Sequence, residues 1–138
     1  MNTIEKRWAT DAGFDAVVVM TNKGHRCGYV ALPDQHPLTG VKYDEAHSTL
    51  DGGTPSSLDV HGSITFSNHC AYFSGAPWAF GFDCAHLHDA PDPEIYARYL
   101  GKLIDVIGIP NDPMATHKTL DFCIAECEKL ANQLKELN

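Results

Sequence analysis

Positive charge is scarce in this sequence, and no part of the chain concentrates it. Ten lysines and arginines stand against 18 aspartates and glutamates, which gives a formal net charge of −8. Proteins that bind nucleic acids neutralise phosphates with clusters of basic side chains. Direct binding of DNA or RNA is therefore not expected. The acidity favours either simple solubility or docking onto the basic surface of a partner protein, and composition leaves both open.

Long hydrophobic runs are also missing. No stretch approaches the roughly 18–20 apolar residues that a membrane-spanning helix needs, and no apolar segment of signal-peptide type follows the charged N-terminus. The five cysteines are an odd number and lack the spacing of a small secreted disulfide framework. We expect a cytoplasmic protein with reduced thiols and no membrane association.

The length of 138 residues favours a single domain over residues 1–138. Residues 14–21 are rich in valine and predict a buried strand, and the turn at Asn22–Gly24 leads to a second strand at 25–32, so that the two form a hairpin. Apolar residues alternate over 58–66 and predict a half-buried strand that places His61 and Thr65 on one polar face. Residues 79–84 predict a fourth strand.

Two helices are predicted at the C-terminal end of the chain. Asp92 and Pro93 form a start signal for a helix that ends at Gly108, and an apolar stripe indicates a second helix over 116–137. The fold class predicted is therefore α+β, with an antiparallel sheet of about four strands and both helices packed on one face. Residues 33–59 are rich in proline and glycine and are predicted to form an ordered functional loop.

The segment Asp83–Asp89 concentrates side chains that can bind metal or move protons. Zinc sites draw on Cys, His and Asp, with some ligands close in sequence and others brought by the fold. A site for zinc or another divalent metal would use His61, Cys84, His86 and Asp89, and an open position would allow metal-assisted hydrolysis. The spacing matches no established zinc signature, so a purely structural role for these residues stays open as well.

An aromatic pocket for a flat ring, such as a nucleobase, is the second interpretation of the same region. Trp78 or Tyr29 would stack on the ring, and the loop around His36 would form another wall. The candidate ligand-binding residues share this region or its neighbouring strands, and they are Tyr29, His36, His61, Thr65, Trp78, Asp83, His86 and Asp89.

Four segments of the chain resemble a family of small hypothetical proteins encoded by bacteriophages and prophages. They are Cys-Gly-Tyr-Val at 27–30 followed by His36-Pro37, residues 60–66, residues 78–89 with the run Phe-Gly-Phe-Asp-Cys-Ala-His at 80–86, and residues 126–134. The chain departs from the family pattern at Ser63 and His88, where the family carries glycine. The resemblance implies a phage accessory protein that acts in a bacterial cytoplasm and counters host defence.

Three classes of function follow from these observations. The first is a protein that binds a small nucleotide-like ligand or signal, and the second is a metal-dependent hydrolase. The third is an acidic inhibitor that covers a host defence protein. The sequence does not decide between an enzyme and a binding protein, and it leaves the oligomeric state open, with a homo-oligomer among the alternatives.

Overall fold

A computed structural model describes residues 2–85, 89–90, 95 and 116–138. It shows an α+β fold in which a five-stranded antiparallel sheet packs against a C-terminal helix. The strands, in the spatial order β1-β2-β3-β5-β4, are β1 (Thr3–Ala9), β2 (Asp15–Met20), β3 (Arg26–Ala31), β4 (Phe66–His69) and β5 (Trp78–Asp83). Two short strands, β6 (Asp89–Ala90) and β7 (Thr116–His117), pair in parallel, and helix α1 spans Leu120–Glu136. None of the helices in these ranges has the length and apolarity to cross a membrane.

The hairpin expected near the N-terminus is confirmed. β2 and β3 pair antiparallel with Val17 opposite Tyr29, and the turn closes where the Thr21 amide donates to the His25 carbonyl over 2.9 Å. Gly24 takes a φ of 92° in this turn, a conformation that glycine adopts without steric cost. Residues 16–20 are all buried because β2 is covered on both of its faces.

The sheet has a different apolar layer on each face. The inner face contacts α1 and supplies Val18, Val30, Phe80 and Phe82 to the main core, together with Cys123, Cys127, Leu130 and Leu134 of the helix. The outer face carries a smaller apolar cluster that the connection between β4 and β5 covers, and its buried members are Val17, Val19, Ala31, Cys70, Phe73 and Ala79.

The strand β1 lies at the edge of the sheet and was not predicted. Six of its seven residues are exposed, and its register with β2 shifts between Ile4 and Lys6. A charged edge strand with a bulge has little hydrophobic alternation for a sequence pattern to detect. The sheet therefore has five strands where about four were expected.

The predicted strand over 58–66 is wrong. Residues 58–65 form turns instead, because Gly62 and Ser63 adopt positive φ angles of 66° and 71° that a strand does not allow. The Ser63 amide donates to the Val60 carbonyl over 2.9 Å and closes the turn. Val60 and Ile64 still reach the main core, so the apolar positions were recognised correctly although the backbone between them is not extended.

Helix α1 begins later than predicted. Its first residue is Leu120, and the Thr119 hydroxyl caps it by accepting from the Phe122 amide over 3.1 Å. Thr116 belongs to β7 instead. The other predicted helix, over 92–108, lies outside the described residues except for Ile95.

Close packing of α1 on the sheet depends on Gly28 in β3. A Cβ atom at this position would lie 2.5 Å from the Phe82 ring and 2.8 Å from the Cys127 sulfur. Any side chain here would therefore push the helix and the aromatic ring away from the sheet. The glycine lets Phe82, its cross-strand partner, lie directly over the backbone of β3.

Candidate functional site

Three aromatic rings meet on the outer face, and Tyr29 is at their centre. Its ring centroid lies 5.1 Å from that of Phe66, in an edge-to-face arrangement, and 5.3 Å from that of Tyr72. The register explains the meeting of Tyr29 and Phe66, since both are opposite Gly81, one from each neighbouring strand. Gly81 has no side chain to separate them.

The connection between β4 and β5 brings Tyr72 onto this face. The Arg7 guanidinium donates to the Tyr72 carbonyl over 2.6 Å, and the Asn2 amide donates to the Tyr72 hydroxyl over 3.1 Å. Both contacts tie the loop to the edge strand β1. The rings and the loop enclose a hollow of about 320 Å³, the aromatic pocket, which is lined by Tyr29, Phe66, His69, Cys70, Ala71 and Tyr72.

Two titratable groups with shifted pKa values lie in the wall of the aromatic pocket, the Tyr29 hydroxyl and the Cys70 thiol. Burial raises the pKa of the Tyr29 hydroxyl above its ordinary value, and the neighbouring Cys27 and Tyr72 raise it further. Burial likewise raises the pKa of the Cys70 thiol. Both groups therefore keep their protons at physiological pH and present neutral polar atoms beside the aromatic rings.

His69 also borders the pocket, but it lies opposite Trp78 in the register, so its ring points to the inner side of the sheet. Its Nδ1 lies 3.1 Å from the Ala76 carbonyl oxygen. Because a carbonyl can only accept, Nδ1 donates this hydrogen bond. The His69 ring is exposed and packs edge-on against Trp78, with centroids 5.4 Å apart.

Thr65 and Asp83 lie on the outer face beside the rings. The Thr65 hydroxyl donates to Oδ2 of Asp83 over 2.9 Å. Asp83 is opposite Cys27, which is two residues before Tyr29 on the same face of β3. Three of the predicted ligand-binding residues, Tyr29, Thr65 and Asp83, are thus brought to one face of the sheet.

His36 has a structural position instead. It is 3% exposed, its Nδ1 accepts from the Leu38 amide over 3.0 Å, and its Nε2 donates to the Leu134 carbonyl over 2.8 Å. Both ring nitrogens are therefore engaged within the protein. This side chain joins the loop after β3 to the end of α1, on the side of the sheet opposite the aromatic pocket.

Trp78 also lies on the inner side of the sheet, in the main core, and is 6% exposed. The Lys42 ammonium lies 5.0 Å from the centre of its ring, so one ring face is occupied by a cation from the protein itself. Tyr29 and Trp78 point to opposite sides of the sheet and cannot stack on the same ligand.

His61 and Cys84 both contact the first turns of α1. The His61 ring packs edge-on against Phe122 at 5.3 Å, its amide donates to Glu126 over 2.8 Å, and the Cys84 sulfur lies 3.6 Å from the Cys123 sulfur. His61 therefore does not share a polar face with Thr65, which contradicts the arrangement expected from the strand period. Cys84 and Asp83 point to opposite faces of β5, as the period predicted.

The predicted metal site is only partly within the described residues. His86 and the side chain of Asp89 lie outside them. Among the side chains that the structure does describe, no group of three or more His, Cys, Asp or Glu residues is arranged to hold a metal ion. A site built from His61, Cys84, His86 and Asp89 stays a prediction.

Phe66, His69 and Tyr72 line the pocket but were not among the predicted site residues. Phe66 ends the predicted strand over 58–66 but is the first residue of β4 in the structure, and Tyr72 lies in the connection between β4 and β5. Their only sequence signal was the density of aromatic and histidine residues around 60–89. Comparison of the chain with protein-family models, with curated proteins and with solved structures found no match.

Proposed function

We propose that this protein binds a small nucleotide-like ligand by stacking its flat ring in the aromatic pocket. The observation that carries the proposal is the convergence of Tyr29, Phe66 and Tyr72 around a hollow of about 320 Å³. Pockets of about 300–1,000 Å³ with aromatic walls and a few polar groups are typical of small-molecule sites. Offset or edge-on contacts between rings favour a planar ligand over a flexible one.

The polar groups near the pocket fit a ring that carries hydrogen-bond donors. The hydroxyl of Tyr29, which is protonated and belongs to the pocket wall, can donate or accept. For a ligand with phosphates, Arg7 supplies a guanidinium next to the pocket wall through its bond to the Tyr72 carbonyl. Because the formal net charge is −8, the protein as a whole does not attract polyanions, which favours a small ligand over a nucleic acid.

The biological setting of the proposal, a phage accessory protein that counters host defence in the bacterial cytoplasm, rests on the family resemblance of the sequence alone. In that setting the ligand would be a nucleotide signal of the host. The alternative of an acidic inhibitor that binds a host defence protein rests on the same resemblance and on the negative charge, and it does not require the pocket.

The test is isothermal titration calorimetry of the purified chain with nucleosides, cyclic nucleotides and ADP-ribose-type nucleotides. We expect saturable heat with at least one ligand class, and a loss of affinity of about tenfold or more in Phe66→Ala and Tyr72→Ala, since stacking on one ring contributes about 1–3 kcal/mol. Tyr43→Ala is the matched control, because Tyr43 is 38% exposed and lies outside the pocket. Absence of heat throughout the panel, or equal losses in Tyr43→Ala, would overturn the proposal.

A further inference from the structure

Two cysteines of the inner face lie close enough to react with each other. The Cys84 and Cys123 sulfurs are 3.6 Å apart, and the residues are 2% and 0% exposed. A disulfide needs a separation of about 2.05 Å between the sulfurs. The two sulfurs would therefore have to approach each other by about 1.5 Å to form the bond.

The fold singles out this pair among the five cysteines, all of which are unbridged. Cys27 and Cys70 belong to the outer face, where Cys27 is paired with Asp83 and Cys70 packs in the outer cluster. The sheet separates both from Cys84. Cys127 is one helical turn beyond Cys123 and packs against Gly28. The pair at 3.6 Å is thus the one that the described contacts bring together.

The surroundings favour a reactive sulfur at Cys123. The hydrogen bond with Cys84 lowers the pKa of the Cys123 thiol, against the effect of burial, and the Arg26 guanidinium lowers it further. Arg26 is held in place by its ion pair with Glu5, at 2.6 Å, and by its bond to the Lys118 carbonyl, at 2.9 Å. A thiolate beside a cation is the nucleophilic form in thiol chemistry.

We propose that Cys84 and Cys123 form a reversible oxidative modification site, which a peroxide converts into a disulfide between the end of β5 and the first turn of α1. The Cys123 thiolate attacks one oxygen of hydrogen peroxide and breaks the O–O bond. This gives a sulfenic acid and a hydroxide, which takes up a proton to become water. The Cys84 sulfur then attacks the Cys123 sulfur, the S–O bond breaks, and the leaving hydroxide takes the Cys84 proton as a second water.

The electrons balance in this sequence, because the two thiols lose two electrons and the peroxide gains them. A small thiol such as dithiothreitol restores the pair by thiol–disulfide exchange. Because both sulfurs are buried, the reaction proceeds through brief local opening at the end of β5. The bond would join positions 39 residues apart. It would therefore restrict the unfolded chain and raise the melting temperature by roughly 10 °C.

The test uses the full chain treated with hydrogen peroxide, followed by blocking of free thiols and peptide mapping by mass spectrometry. We expect one linked peptide pair that joins Cys84 to Cys123, a higher melting temperature, and reversal of both by dithiothreitol. Cys84→Ala and Cys123→Ala should form no such link and show no shift in melting temperature. Cys70→Ala, which removes a buried thiol from the other face, should still form the link and show the same shift on oxidation.

The peptide map of the parent chain is decisive by itself if either alanine variant fails to fold. The proposal is overturned if Cys84 and Cys123 remain free thiols while other cysteines are oxidised, or if the linked protein melts below the reduced one. This modification does not depend on ligand binding in the aromatic pocket, so its failure would leave the proposed function untouched.

Discussion

Tyr29 and Gly81 are direct cross-strand partners, and the tyrosine ring lies over the glycine. A Cβ atom on Gly81 would be 2.5 Å from Cδ1 of Tyr29 and 3.0 Å from the Gly28 carbonyl oxygen. One register step away, Phe82 covers Gly28 on the opposite face in the same manner. Each glycine thus makes room for the aromatic ring of its partner, and one of these two rings forms the wall of the aromatic pocket.

Gly81→Ala is expected to destabilise the protein and to displace the Tyr29 ring. Overpacking of this kind costs about 1–3 kcal/mol, and the displaced ring should weaken ligand binding as well. Urea denaturation measures the first effect and calorimetry the second. The double variant Tyr29→Ala/Gly81→Ala tests the cause, because removal of the ring should recover part of the loss. Strictly additive effects of the two substitutions would show that the ring is not what Gly81 accommodates.

Ser63 lies in a backbone conformation that favours glycine, with a φ of 71°. The Ser63 hydroxyl also donates to the Ser56 carbonyl. A comparison of Ser63→Gly with the parent would therefore combine the loss of this hydrogen bond with the relief of backbone strain. Ser63→Gly and Ser63→Ala both lose the hydroxyl, and we expect the glycine variant to be more stable by about 1 kcal/mol. Equal stability in thermal denaturation would argue against this turn geometry.

His36 is expected to matter for stability and not for ligand binding. His36→Ala leaves the Leu38 amide without its partner and removes one of the two hydrogen bonds to the Leu134 carbonyl, which keeps the Leu137 amide. Together with the cavity left by the buried ring, the loss should be about 2–4 kcal/mol in urea denaturation. His47→Ala is the control, since His47 accepts from the Thr49 amide in a half-buried turn and should cost less than about 1 kcal/mol. Comparable losses in the two variants would contradict the role assigned to His36.

The Cys27 thiol should make the protein less stable in alkali. Burial and the Asp83 carboxylate raise its pKa from an ordinary value of 9.0 to about 11. Because the unfolded chain gives up this proton first as the pH rises, the contribution to stability is complete below pH 9 and is lost between pH 9 and about pH 11. Cys27→Ala should therefore lose less stability over this range, as measured by urea denaturation at several pH values.

The Asp83 contribution to this pKa can be tested separately. Asp83→Asn should shift the alkylation of Cys27 by iodoacetamide to lower pH, because removal of the negative charge favours the thiolate. Asp34→Asn, a change at an exposed carboxylate in another loop, serves as the control and should leave the alkylation profile of Cys27 unchanged. An unchanged profile in Asp83→Asn would mean that burial alone raises the pKa.

Much of the sheet and the helix could be predicted from the sequence, because their residues carry strong periodic patterns. The valine run of β2 is typical of a buried strand, and the apolar stripe of α1 is typical of an amphipathic helix. The error at 58–66 arose because Val60 and Ile64 are buried through a turn, and burial in a turn can produce the same alternation as a strand. The positive φ angles of Gly62 and Ser63 distinguish the two, and serine at the second position does not signal such a conformation.

The site was harder to predict because it depends on contacts between distant segments. Tyr29 was identified as a stacking residue, but its neighbours Phe66 and Tyr72 come from a strand pairing and a loop position that no local pattern determines. His36 and Trp78 were selected for their chemistry, whereas their burial on the inner side follows from packing. Residue types thus drew attention to a region that contributes residues to the aromatic pocket, and they did not indicate which face of the sheet each side chain would join.

The edge strand β1 has a consequence for growth of the sheet by addition of another chain. In the described part of the chain it pairs with β2 alone, so its outer side presents backbone groups to which a foreign strand could bond. Charged residues at positions 5–7 and the register shift before Lys6 oppose such an addition. Two copies that met edge to edge would bring these charges together along an irregular backbone. The geometry therefore disfavours amyloid-like stacking and dimers formed through this edge.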